Sequence, residues 1–157
     1  MSVEAAEGSG GAVLLRLGEA RYAVDMAAVA EVVPVPPTTR VPDQPPWLAG
    51  VANWRGRVLP VIDVRLLLGV QAVPLASSAR LVVLTDDDVL LGVLAEAVPG
   101  VHPGDVAEAD PPPATLAGEA ALLVRSQVTD RLGPVAVLDP QALFRLRRRL
   151  DRARSFS

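Results

Sequence analysis

Few side chains in this sequence could do chemistry, and most of those stand alone. The single histidine, His102, sits between Val101 and Pro103, and there is no cysteine. A metal site with nitrogen or sulfur ligands therefore lacks its second donor. Ser77, Ser78 and Ser126 have none of the glycine context that exposes a nucleophilic serine on a sharp turn. Asp86, Asp87 and Asp88 suggest a calcium loop, but that loop's glycine and distal glutamate are missing, and three acids between two apolar runs read as a solvated hairpin turn. Glu31 and Asp63 are carboxylates set among apolar residues, and neither has a second role-player nearby in sequence for acid–base work. The expectation is a protein that is not an enzyme and holds no metal or cofactor.

Three other features ask for a partner rather than a reaction. Asn53-Trp54-Arg55-Gly56 lies between two strand-like runs, and Gly56 permits a tight turn there. One reading holds the Arg55 guanidinium at the surface beside the Trp54 indole, a residue pair enriched at the energetic centres of interfaces. The other pairs Arg55 internally with Glu31 or Asp63 while Trp54 fills the core; the residues themselves leave both open. Glu31 is the second feature, because burying it unpaired would be costly. The third is the arginine-rich end from Arg145 to Arg154, where Leu143, Leu146 and Leu150 share one helical face. It reads as a solvated helix end, with attraction to an acidic partner or an anionic membrane surface as the alternative.

Composition narrows the partners. Residues 1–144 carry nine arginines against seventeen acids, a net of −8, and aromatics are 3%. Such a body offers phosphate backbones little attraction and single strands no stacking platform, so nucleic acid is not expected. No apolar run approaches the roughly 18–20 residues of a membrane-spanning helix, so membrane insertion is not expected either. The start, Met1 to Gly8, lacks the basic and apolar stretches of a secretory signal, and the expected location is the cytoplasm.

The elements that must position these residues are short. Residues 1–11 are expected to be disordered. Val13–Leu17 and Arg21–Val24 form a hairpin about Gly18-Glu19, Asp25 caps a brief turn over 26–30, and Glu31–Val33 is extended. Six prolines keep residues 34–47 extended or turning. Gly50 is expected to bend the chain before a Val51–Trp54 strand, and Val58–Ile62 leads through Asp63 to a short helix closed by Gly69. The pattern then recurs: a hairpin over 80–93, and Pro134–Leu138 followed by Asp139 and a helix with Pro140 at its first position. The chain thus reads as one domain over 12–147 with two equivalent halves, about 12–75 and 80–147, and an arginine-rich end over 148–157. Each half alone would be marginal, so the two are expected to share a core or exchange strands, as small barrels or a sandwich with a groove between them.

The run Tyr22-Ala23-Val24-Asp25-Met26, Glu31-Val32-Val33 and Trp47-Leu48-Ala49-Gly50-Val51-Ala52-Asn53-Trp54-Arg55-Gly56 through Pro60-Val61-Ile62-Asp63 resembles the signature of the CheW-like chemotaxis adaptor family. The resemblance covers residues 13–146. It implies a mainly β fold of two small five-stranded SH3-like barrels packed together, with short helices and a C-terminal helix. It implies an adaptor that bridges methyl-accepting chemoreceptor tips to the regulatory domain of a CheA-type histidine kinase, recruited to membrane-associated receptor arrays. By the same resemblance the receptor-facing groove involves Met26, Val29, Glu31, Arg55, Leu91 and Val98, with Trp54 as a possible further anchor. Trp54 stands where the family usually has leucine, and Glu96 where it usually has aspartate, which implies a groove tuned to its receptor. The alternative is a divergent relative that binds one partner as a decoy, localisation factor or regulator in another signalling system.

Overall fold

The computed structural model describes residues 10–106 and 110–154. The expected N-terminal disorder falls, up to residue 9, outside the described residues. The first hairpin joins β1 (Ala12–Leu17) to β2 (Ala20–Asp25) across Gly18-Glu19, with Gly18 at a φ of 64°. A 3₁₀ turn over Met26–Ala28 follows, capped where Asp25 Oδ1 accepts the Ala27 N–H. It delivers the chain to β3 (Val29–Pro34), after which come the two-residue β4 (Thr38–Thr39), β5 (Leu48–Trp54), β6 (Arg57–Ile62) and α1 (Arg65–Leu68). Gly69, at a φ of 74°, ends α1 as the left-handed residue such helix ends favour. The second repeat supplies the hairpin β7 (Arg80–Asp86) and β8 (Val89–Ala95), then β9 (Ala97–His102), α2 (Gly118–Leu123), β10 (Val124–Asp130), β11 (Gly133–Leu138) and α3 (Pro140–Arg154).

The strands form two sheets, ordered β10-β11-β2-β1-β9 and β3-β7-β8-β6-β5-β4. Each repeat has given its hairpin to the other's sheet. β6, which ends at Asp63, runs parallel to β8, and β11, which ends at Asp139, runs parallel to β2. β3 likewise pairs with β7, and β9 with β1. The equivalence extends to single hydrogen bonds: Asp63 N–H donates to the Trp47 carbonyl at 2.7 Å, and Asp139 N–H to the Leu123 carbonyl at 2.7 Å. Each sheet takes strands from both repeats, so the two build one mainly β fold together.

Strand alternation builds the core. Along β7, Val82 and Leu84 face a main cluster that also takes Leu15, Val24, Ile62 and Leu91, while Leu81 and Val83 face a second cluster with Leu59 and Val61. α3 lays Leu143, Phe144, Leu146 and Leu150 against the main cluster, the face its spacing predicts. Gly50 departs from expectation. It lies inside β5, with the register slipping between Leu48 and Gly50, at a φ of 151°. A Cβ there would sit 2.3 Å from the Thr39 carbonyl oxygen, so glycine serves the close approach of β4 rather than a break before the strand.

Candidate functional site

The Asn53–Gly56 stretch is the tip of the β5–β6 hairpin. Trp54 pairs with Arg57, leaving Arg55 and Gly56 as a two-residue loop with φ of 51° and 79°. Both are left-handed, as the tight hairpin turn that matches strand twist requires. Asn53 Oδ1 accepts the Gly56 N–H at 3.0 Å and pins the loop. Arginine is an unusual occupant of its position, and it leaves the turn pointing back over the sheet.

There it meets Glu31. Glu31 Oε1 accepts the Trp54 indole N–H at 2.8 Å and Arg55 Nε at 3.3 Å, and Oε2 accepts a terminal Arg55 nitrogen at 3.1 Å. The guanidinium carbon stands 5.2 Å from the centre of the indole, within cation–π range. The hydrogen bonds from Arg55, then that from Trp54, hold the Glu31 carboxyl below its ordinary range. The Glu31 side chain is 17% exposed and that of Arg55 67% exposed. The two readings of Arg55 therefore merge: it has an internal partner, Glu31 and not Asp63, and still presents most of its surface to solvent. Trp54 is half-buried, packed against the second cluster.

The other residues implied by the resemblance are placed on a different side. Glu31 lies beside Val83 in the β3–β7 register and so faces the second cluster, whereas Val29, Leu84 and Leu91 form a row facing the main cluster. Leu91 has no exposed surface and Val29 only 8%. Packed into the main cluster, these two offer a partner almost no contact area. Met26 and Val98 are half-buried at the edge of the main cluster. Among the residues that the resemblance implies, exposed surface is thus kept by Met26 and Val98 at the main cluster and by the Glu31–Trp54–Arg55 group at the second.

Glu96 is the correction. It does not tune an exposed groove; it is 7% exposed and belongs to a buried ionic junction that sequence reading missed. Arg65, 4% exposed, donates to both Asp63 oxygens at 2.9 and 2.8 Å, to Glu96 Oε2 at 3.0 Å and to the Val73 carbonyl at 2.9 Å. Glu96 Oε2 also accepts the Gly18 N–H at 3.1 Å. Asp63, then Glu96, raise the Arg65 pKa, against the opposing effect of burial. The junction sits where the chain leaves β8 in one sheet for β9 in the other, so it ties the two sheets together. An Asp-x-Arg at the end of an apolar strand was the only local trace of it.

Comparison with known proteins agrees with this architecture. The CheW-like domain family matches residues 11–148. Protein PilI of Pseudomonas aeruginosa is 35% identical over 131 residues, 82% of this chain and 71% of PilI. Chemotaxis protein CheW of Treponema pallidum is 26% identical over 136 residues, 84% of this chain and 80% of that protein. The crystal structure of the scaffolding protein TtCheW from Thermoanaerobacter tengcongensis superposes with a TM-score of 0.75 at 24% identity, covering 83% of this chain and 89% of that one.

Proposed function

Because the chain belongs to the CheW-like domain family, whose members are non-enzymatic adaptors, we propose that it couples methyl-accepting chemoreceptors to the regulatory domain of a CheA-type histidine kinase. The observation that carries the reading is the Arg55 guanidinium, pre-oriented by Glu31 and Trp54 yet exposed. A receptor tip that presents a carboxylate would take Arg55, and its apolar residues would meet Met26 and Val98, which pack against the main cluster that holds Val29 and Leu91. Aromatic and arginine anchors held in place before binding lose less side-chain entropy on association. The adaptor then works by position: holding receptor and kinase together raises their effective concentration and lets receptor conformation bias the kinase. In this reading the protein is cytoplasmic and reaches the array through its partners; no helix among the described residues is long and apolar enough to cross a membrane.

The test is paired titration of the purified protein against a kinase regulatory domain and against a chemoreceptor tip fragment. Saturable binding to both supports coupling. The similarity to PilI, whose name differs from the chemotaxis proteins, favours as second reading a role in another signalling system with one partner, which binding to only one fragment would support.

A further inference from the structure

The arginine-rich end of α3 forms one side of a groove. α2 lies beside α3, and between them is a cleft of about 540 Å³. Its floor is apolar and fixed, because Leu123, Ala142 and Leu146 are buried. Leu122, on the wall, is 66% exposed, a large apolar side chain that the fold leaves uncovered. Four arginines, at 145, 148, 149 and 152, line the cleft with two acids, Glu119 and Asp151. Both acids are engaged already, Glu119 with Arg149 at 3.6 Å and Asp151 with Arg147 at 2.8 Å. Arg148 is exposed and makes no ion pair among the described residues. This concentration of positive charge stands on a chain whose residues 1–144 are net negative by eight.

We propose that this cleft docks an acidic amphipathic segment of a partner protein. The segment's apolar residues cover Leu122 and the floor, and its carboxylates meet Arg148 and Arg145 on the rim. An apolar floor with a charged rim is the arrangement by which grooves take amphipathic helices, and the sign of the rim selects an acidic one. A lipid surface fits less well. A helix that lies in a membrane interface turns its apolar face outward, whereas α3 turns Leu143, Leu146 and Leu150 into the core. Nucleic acid also fits less well, since no aromatic lines the cleft to stack a base.

The experiment is fluorescence anisotropy of the full chain with a labelled fourteen-residue peptide of glutamates with leucines at three- and four-residue spacing. Controls are a peptide of the same composition with the leucines dispersed around the helix, and phosphatidylglycerol vesicles. The expected result is saturable binding of the first peptide that weakens about tenfold or more with either Arg148→Glu or Leu122→Glu. Both positions are exposed, so the melting temperature should hold and a circular dichroism melt verifies it. Equal binding of the dispersed peptide, binding that survives both substitutions, no saturable binding, or vesicle binding without peptide binding would each overturn the proposal.

Discussion

The Trp54 indole nitrogen donates to Glu31 Oε1 at 2.8 Å although three strands, β7, β8 and β6, lie between β3 and β5 in the sheet. A flat sheet would hold those strands about 19 Å apart, at roughly 4.8 Å per step. The sheet must therefore curl round the cluster of Leu59, Val61, Leu81 and Val83, and this hydrogen bond closes the curl with side chains. Trp54→Phe keeps an aromatic ring at the site, though a smaller one, and removes the donor. It should lower the midpoint of chemical unfolding, and Glu31→Gln, which still offers Trp54 an acceptor, should lower it less. Equal midpoints for all three proteins would mean the contact closes nothing.

Breaking the buried junction should be the most destabilising of these changes. Arg65→Ala removes the buried cation that Asp63 and Glu96 share, leaving Glu96 only the half-exposed Arg16 at 3.6 Å, an effect of about 3–5 kcal/mol for buried pairs. Urea unfolding measures it directly. A loss under about 1 kcal/mol, the size of an exposed pair, would show that solvent reaches the site.

A second clasp spans the other sheet. Arg21 on β2 forks onto Asp130 on β10 at 2.6 Å to each oxygen, across the intervening β11. Arg21, then the Leu132 N–H, hold the Asp130 carboxyl well below its ordinary range. A carboxyl depressed in the folded state stabilises fully above its unfolded pKa, about 3.9, and the contribution is lost as pH falls below it. Stability should therefore decline between about pH 4 and pH 2, and the decline should be shallower in Asp130→Asn. Identical slopes would remove Asp130 from the acid response.

Asp139 Oδ1 accepts the Gln141 N–H at 2.9 Å at the start of α3. Asp139→Ala should cost about 0.5–2 kcal/mol as a lost cap. A thermal melt identical to that of the parent protein would contradict the assignment.

Local chemistry made much of this legible in the sequence. The hairpins at 13–24 and 80–93 follow from alternation and their turn residues, and the two strand-Asp-helix units from capping. What escaped was either non-local or locally masked. β9 reads as Ala-Val-Pro-Gly-Val-His, and Pro99 argues against a strand. It is tolerated because β9 is an edge strand whose register with β1 slips between Ala97 and Gly100, where Pro99 sits. α2 begins at Gly118 with no side-chain cap to announce it. The ion pair of Arg65 with Glu96 joins residues far apart in sequence, and nothing in either neighbourhood demands the other. At the candidate site, sequence singled out Glu31, Trp54 and Arg55 and the need of Glu31 for a partner, and left open whether Arg55 paired with Glu31, with Asp63 or with neither. The family resemblance grouped Val29 and Leu91 with them; strand register, which depends on partners distant in the chain, sets those two side chains on the opposite face of the sheet.

In the proposed function Arg55, held by Glu31 and Trp54, is the receptor anchor. That role is tested most directly by titrating the parent protein and Arg55→Ala against both a receptor tip fragment and a kinase regulatory domain, with a melt of each protein. Receptor binding should weaken by about 1–3 kcal/mol, the magnitude of an interface anchor, with kinase binding and melting temperature held. Unchanged receptor binding, or a fall in melting temperature that accounts for the loss, would contradict it and leave Arg55 as a clasp on the sheet.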